Sequence, residues 1–262
     1  MPPGERPLAA AVLAAGKGKR MASPLAKVLH RVGGRPLIRH VVDAARAAGA
    51  SPLSIVVGHQ AGAVRAVFAG DAEDLRFPLQ AEQLGTGHAT SAALSALEET
   101  EGDLLLLCGD VPLLRAETLR DLVRRHRAAG AAATLLSMVL EDPSGYGRVV
   151  REGGEGKEGG PMSGVVEDKD ASPAQRAIRE VNSGAYVFDL AFLARVLPRL
   201  EAENVQGEYH LTDVISMAFE EGRRALALPV PDPEEVMGVN TPEDLALAEA
   251  VWARRGGGAA GA

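Results

Sequence analysis

The apolar positions of this chain change period in a regular way. Residues 8–14 form a short unbroken apolar run that stops near Gly16, the pattern of a strand buried on both faces. Residues 37–48 carry apolar side chains at helical spacing and run into Gly49, a suitable C-cap. The alternation continues with a strand at 53–57, a weaker one at 76–80, a helix at 86–97, a strand at 104–108, a helix at 116–128 and a strand at 132–140. This succession predicts the α/β class, with a mostly parallel sheet and helices on both faces. In such sheets ligands bind beyond the C-terminal ends of the strands. Gly16 and Asp110 both follow predicted strands, so parallel strands would put them on one edge.

The second half has a different pattern. Residues 145–151 and 163–167 flank a Gly-, Glu- and Lys-rich segment at 152–160, which predicts a hairpin with an exposed, mobile tip. A strand at 181–188, a helix at 208–220 and a strand at 225–230 follow. The last helix, 241–254, opens with Thr241 as N-cap, Pro242 at the first helical position and the acids Glu243 and Asp244 in the first turn. Residues 256–262 predict a flexible tail. The organisation is one domain over 1–255, with a small lobe at about 141–188 inserted in it.

Composition narrows the classes of function. The formal net charge is −7 over 262 residues, which disfavours nucleic acid as a partner and requires any anion site to be assembled locally. The single cysteine, Cys108, excludes an internal disulfide framework and lies in an apolar run, as a buried core thiol would. The histidines show no pairing at zinc spacing. The apolar stretch after the proline-rich start is too short for a membrane span and has the wrong leader for a secretion signal, so the expectation is a cytoplasmic chain with no membrane partner.

The loop after the first strand runs against the global charge. Ala14-Ala15-Gly16-Lys17-Gly18-Lys19-Arg20-Met21, with Lys27 beyond it, concentrates four cations beside two glycines. Glycine allows tight turning and close approach of backbone N–H groups to an anion. The loop does not match G-x-x-x-x-G-K-[ST]. Nor does it complete G-x-G-x-x-G, because Met21 stands at the third glycine and the expected acid about twenty residues on is missing. A solvated turn is the plain alternative.

A set of stretches in fixed order now resembles a known family. Leu13–Met21 with Lys27-Val28-Leu29-His30 resembles the signature of the sugar-phosphate nucleotidyltransferases. Residues 80–89, Gly109-Asp110-Val111-Pro112-Leu113, Gly145-Tyr146-Gly147-Arg148, 166–171, Glu180-Val181-Asn182-Ser183-Gly184, 206–213 and Gly238-Val239-Asn240 extend the likeness. Together they are similar to the uridyltransferase domains of bacterial UDP-N-acetylglucosamine pyrophosphorylases, from about Ala10 to Ala250. The resemblance implies a Rossmann-like three-layer nucleotidyltransferase fold, with a mostly parallel mixed sheet and a β-hairpin sugar-binding lobe. It implies that UTP and N-acetylglucosamine 1-phosphate are joined with release of pyrophosphate. The family's β-helical acetyltransferase domain has no counterpart here, which implies no use of acetyl-CoA and leaves the oligomeric state open, since that domain usually builds the trimer.

The same resemblance assigns roles. Leu13, Ala14, Ala15, Gly16, Gly18 and Gly109 would surround the nucleotide with backbone, and Gln80, Gly85 and Thr86 would read uracil. Arg20 and Lys27 would be the catalytic cations on the phosphates. Asp110 and Asn240 would hold Mg²⁺ through oxygen, and Gly147, Glu167, Asn182 and Asn240 would bind the sugar. Each has a plain alternative: Asp110 as a turn residue, Asn240 as the residue before a helix cap, Glu167 as a solvated hairpin charge. Tyr146 suits packing better than ligation, and Trp252 suits an anchor for the last helix. Lys19 stands where the family usually has Thr, Ala26 where it has Pro, and Cys108 where it has an aromatic. These departures keep open another sugar or triphosphate, and a non-catalytic nucleotide-sugar sensor is the second class.

Overall fold

The computed structural model describes residues 6–71, 73–99, 101–152 and 161–256. The first half contains strand β1 (Leu8–Ala14), a short hairpin of β2 (Arg31–Val32) and β3 (Arg35–Pro36), and helix α1 (Leu37–Ala47). Strand β4 (Leu53–Val57), helix α2 (Ala61–Ala66), strand β5 (Leu75–Arg76), helix α3 (Thr86–Leu97), strand β6 (Asp103–Cys108) and helix α4 (Ala116–Ala129) follow. Next come strands β7 (Ala133–Val139), β8 (Arg148–Arg151) and β9 (Met162–Val166), helix α5 (Pro173–Arg176) and strand β10 (Glu180–Asp189). Helices α6 (Leu190–Val196) and α7 (Asp213–Glu220), strand β11 (Ala225–Pro229) and helix α8 (Pro242–Arg254) complete the described chain.

The main path of the sheet is β11-β7-β10-β6-β1-β4-β5. β1 pairs in parallel with both β4 and β6, and β7 with β11. β10 runs antiparallel between β6 and β7, so the sheet is mixed although most of its strands share one direction. β8 pairs with β9 and touches β10 at Val181–Arg148, so the lobe hairpin grows out of the main sheet. Its tip, expected at 152–160, lies outside the described residues from 153 onward, as does the tail beyond Gly256.

Period-two alternation sorts β1 between two cores. Ala10, Val12 and Ala14 pack on the α1 and α4 side, whereas Ala9 and Ala11 face the α3 side. Leu105 and Leu107 of β6 join the first core, and Leu104 and Leu106 the second. A third, smaller cluster joins Met21, Val32, Leu37 and Leu113 to Val239 and Val251, fastening the cationic loop to α8. Trp252 packs on this cluster and meets the His40 ring edge-on at 4.6 Å, the anchoring role expected of it.

Two segments depart from the expected elements. The strand expected at 76–80 is only Leu75–Arg76 plus a bridge between Val57 and Leu79. Pro78 interrupts it, because its nitrogen cannot donate, and only its carbonyl is used, accepting from Val57 N–H at 2.9 Å. The helix expected at 208–220 begins at Asp213. Residues 208–212 spend their backbone groups on the loop before α3: Tyr209 N–H donates to Leu84 O at 2.8 Å, and Gly87 N–H donates to Tyr209 O at 2.8 Å. Leu211 N–H donates to the Thr86 hydroxyl at 3.0 Å. Groups committed to that loop cannot close helical rings.

At the opposite, N-terminal edge of the strands lies a buried charge cluster. Asp103 is fully enclosed and accepts from Arg127 Nε at 2.7 Å, with Arg6 at 3.4 Å and His126 at 3.7 Å. Burial holds the His126 imidazole down to about 4, although Asp103 opposes the shift. Its Nδ1 meets the Thr134 hydroxyl at 2.9 Å. The unfolded chain therefore binds a proton between about pH 6.5 and 4 that the folded chain refuses, and stability falls as pH drops through that window. Urea unfolding at pH 7 and pH 5 should show wild type losing about 2 kcal/mol more than His126→Gln, from the linkage relation applied to that pKa difference.

Candidate active site

The C-terminal ends of β1, β4 and β6 share one edge, with Leu13 opposite both Cys108 and Val56. Gly16 and Asp110 therefore do meet on that edge. Leu13 is half-buried, Ala14 and Ala15 are buried, and Gly16 is exposed. A Cβ at Gly16 would touch nothing within 4 Å, so packing within the chain does not explain this glycine, and the open space lies at the loop's mouth. Gly18 is different. It adopts φ 61°, and a Cβ there would come within 2.6 Å of Lys27 Cβ. The loop folds over Lys27 only because Gly18 has no side chain. Gly109 is held between Leu13 O, which accepts its N–H at 2.9 Å, and Val28.

Lys27 lies in a 3₁₀ turn, Lys27–Leu29, on the far side of the loop. Its ammonium forms an ion pair with Asp110 Oδ2 and donates to Asn240 Oδ1 at 3.0 Å. Arg20 Nη2 donates to the same Asn240 oxygen at 2.9 Å. Four residues separated by up to 220 positions thus converge. The segment carrying Asn240 is fixed by Val239 N–H donating to Asp110 O at 2.8 Å. It is fixed again by Asn240 and Thr241 N–H donating to Asp244 Oδ2, each at 2.9 Å. The Thr241 capping box and the placement of Asn240 are therefore one arrangement: the helix start aims the amide. Asp110 is not merely a turn residue, and Asn240, the residue before the cap, also accepts from Arg20 and Lys27.

Gln80 is 4% exposed and lies beyond β5, in the stretch that leads to α3. Its amide nitrogen donates to Gly85 O at 3.1 Å and lies 3.2 Å from His88 Nδ1. No hydrogen bond engages its amide oxygen among the described residues, which leaves an acceptor available. Gly85 has φ 108°, and a Cβ would lie 2.5 Å from Tyr209 O. The Thr86 hydroxyl is occupied by Leu211 N–H, so its immediate role is to tie two loops together.

On the other side of β6 stand the residues expected to meet the sugar. Asn182 N–H donates to Gly147 O at 2.8 Å, and a Cβ on Gly147 would come within 2.9 Å of Val165 and 3.4 Å of Glu167 Oε2. Gly147, Glu167 and Asn182 thus form one cluster. Glu167 is not a solvated hairpin charge: Oε1 accepts from the buried Thr212 hydroxyl at 3.0 Å. The Asn182 side chain is held at both ends, donating to the Tyr186 hydroxyl and accepting from Gly184 N–H at 2.9 Å. Burial pushes the Tyr186 phenol well above its ordinary range, and Glu167 adds to the shift. Cys108 lies between the two clusters and is half-buried rather than fully enclosed. Burial, then the charge of Asp110, pushes its thiol up to about 12. It is an inert neutral group at neutral pH.

Four residues that hold this site carried no assigned role in the sequence. Gln60, in a left-handed backbone conformation, accepts from Ala26 N–H at 2.9 Å and donates to Pro24 O at 2.8 Å, clipping the turn that leads to Lys27. Thr212 fixes Glu167, and Tyr209 braces the Gly85 turn through its backbone. Arg148, 2% exposed, bonds Asp168 at 2.9 Å and the Tyr146 carbonyl, holding the lobe strand that carries Gly147. Thr212, Tyr209 and Arg148 lie within motif stretches, whereas nothing local singles out Gln60. Tyr146 packs against the first core, as expected, within the field of Asp244, Asp110 and Arg20.

The meeting of Lys27, Asp110 and Asn240 raises the question of a metal. Among the described residues no group of three or more His, Cys, Asp or Glu side chains could hold one. Asp110 and Asn240 nevertheless bring a carboxylate and an amide oxygen to one point. That donor set suits Mg²⁺, which keeps waters and draws its remaining ligands from substrate phosphates.

Comparison with known proteins identifies the family. Residues 10–202 match the MobA-like NTP transferase domain. The bifunctional protein GlmU of Geobacter metallireducens is 52% identical over 241 residues, covering 92% of this chain and 49% of that protein. GlmU of Pelobacter propionicus is 50% identical over 248 residues, covering 95% of this chain and 53% of that protein. The chain thus spans about half the length of the curated relatives it matches. The crystal structure of UDP-glucose pyrophosphorylase complexed with UDP-glucose superposes with a TM-score of 0.73 at 17% identity, over 95% of this chain and 99% of that one. The match over residues 10–202 and the identities near 50% place the chain in the MobA-like NTP transferase family.

Proposed function

We propose that this chain joins UTP and N-acetylglucosamine 1-phosphate, giving UDP-N-acetylglucosamine and pyrophosphate. The observation that carries the proposal is the convergence of Lys27, Arg20, Asp110 and Asn240 on one sheet edge, with Gln80 on one side and Glu167 and Asn182 on the other. That order matches base, phosphates and sugar laid across the strand ends. The ordered motifs and the likeness to GlmU proteins support the uridine and N-acetylglucosamine assignments, and the UDP-glucose named with the structural relative suits a nucleotide-sugar product.

The sugar phosphate already carries an anionic oxygen, so no general base is needed. That oxygen attacks the α-phosphorus of UTP, the α–β bridging P–O bond breaks, and the electron pair leaves with pyrophosphate. Lys27 and Arg20 offset phosphate charge in a half-enclosed site, where such charges act more strongly than in water. Asp110 and Asn240 would hold Mg²⁺, which when bound neutralises charge on the triphosphate. Gln80 presents its free amide oxygen to the base. Glu167 and Asn182, held rigid by Thr212 and Tyr186, accept from and donate to the sugar's hydroxyl and acetamido groups.

No helix among the described residues is long and apolar enough to cross a membrane. The direct test is pyrophosphate release with Mg²⁺ over a panel of UTP and dTTP against N-acetylglucosamine 1-phosphate and glucose 1-phosphate. The expected result is turnover highest with UTP and N-acetylglucosamine 1-phosphate. Preference for another pair would reassign the substrate. Tight UDP-sugar binding without turnover on any pair would make the chain a sensor.

A further inference from the structure

We infer that Lys19 is an additional ligand of the leaving pyrophosphate and that it makes the protein retain pyrophosphate. The inference rests on the nucleotidyl-transfer reading above and deepens it.

Beside the Lys27–Asp110 pair lies a cavity of about 220 Å³, lined by Gly18, Lys19, Arg20, Lys27 and Asn240. Three of its five lining residues are cations. Lys27 alone has a carboxylate partner, Asp110. Arg20 meets only the neutral amide of Asn240, and Lys19 forms no ion pair or hydrogen bond among the described residues. The chain as a whole is acidic, yet at this cavity, where Lys19 and Arg20 reach solvent, three cations stand against one carboxylate. Gly18 brings the loop down on Lys27, and the turn Lys19–Met21 ends on buried Met21, so the loop has a fixed base. Lys17, two residues earlier and exposed as Lys19 is, does not line the cavity.

The ligand that matches is a compact anion with several charges. UTP presents its β- and γ-phosphates, and pyrophosphate carries one charge more once the bridging bond has broken. A third cation therefore binds the leaving group more strongly as the bond breaks, which favours the transition state. The same attraction persists in the product and slows its departure.

The test is calorimetric titration of inorganic pyrophosphate into the whole protein without Mg²⁺, comparing wild type, Lys19→Thr, Lys19→Arg and Lys17→Thr. Removing a charged hydrogen bond should raise the Kd of Lys19→Thr about tenfold or more. Lys19→Arg should return it to within about threefold of wild type, and Lys17→Thr should move it by less than about threefold. A Lys19→Thr Kd within threefold of wild type overturns the inference. So does an equal loss from Lys17→Thr, which would mean diffuse attraction, and so does a wild type that binds no pyrophosphate at millimolar concentration. The parent proposal fails differently, by absence of turnover across the substrate panel. Wild type that turns over while Lys19→Thr binds pyrophosphate normally would sink only this inference.

Discussion

Asp110→Asn is expected to lower kcat/KM for pyrophosphate release by about 10²–10³, the usual loss when one charge-stabilising group is removed from such a site. Asparagine keeps the shape of the side chain and an oxygen that Lys27 can still reach. It removes the negative charge that pairs with Lys27 and that would hold a divalent ion. Lys27→Met should cost a similar amount. Because the two groups act on the same phosphates, the double variant should be no more than about tenfold worse than the worse single one, as is usual for residues that act as a unit. Initial rates with UTP and N-acetylglucosamine 1-phosphate, with circular dichroism to establish that each variant is folded, decide the matter. An Asp110→Asn protein retaining activity within threefold of wild type would remove this pair from the chemistry.

The second large effect is on stability and belongs to the opposite edge of the sheet. Asp103 has no accessible side-chain surface, and its Oδ1 has no hydrogen-bond partner although Arg6 and His126 approach it. Arg127 is also largely enclosed and gives Asp103 its shortest contact. Asp103→Ala leaves that guanidinium buried without its counter-charge, a change that costs about 3–5 kcal/mol. For a chain of this size the melting temperature should fall by roughly 6–20 °C. The same variant, assayed well below its melting point, should keep its kcat, since Asp103 and Asp110 lie at opposite ends of the β6 region. A drop of only a degree or two would mean that Arg127 escapes to solvent when its partner is lost.

Much of this was legible in the chain. The apolar runs at Leu8–Ala14 and Leu53–Val57 and the periodic segment Thr86–Leu97 became elements with those bounds. Each is a local pattern buried against neighbours that share it. Of the two elements misjudged, the strand expected at 76–80 is cut short by Pro78, and the helix expected at 208–220 loses its first turn to a distant partner. Residues 208–212 read as the start of a helix until Leu84, Thr86 and Gly87 took their hydrogen bonds. The cationic loop was visible as composition, and Asp110 as the residue after a strand. The meeting of Lys27 with Asn240, across 213 positions, was not visible from spacing.

Gln60 shows the limit most plainly. It belongs to no motif and follows an ordinary strand, yet its amide closes the turn that presents Lys27. Local sequence determined the strands, the helices, the caps and the glycines that let backbone approach an anion, because these depend on neighbours within a few residues. The tertiary structure alone decided which polar groups face one another. Asp110 was paired with Lys27, Thr212 with Glu167 and Asp103 with Arg127 by sheet register and crossover direction. Those are set by burying two apolar faces at once, and no single segment carries that information.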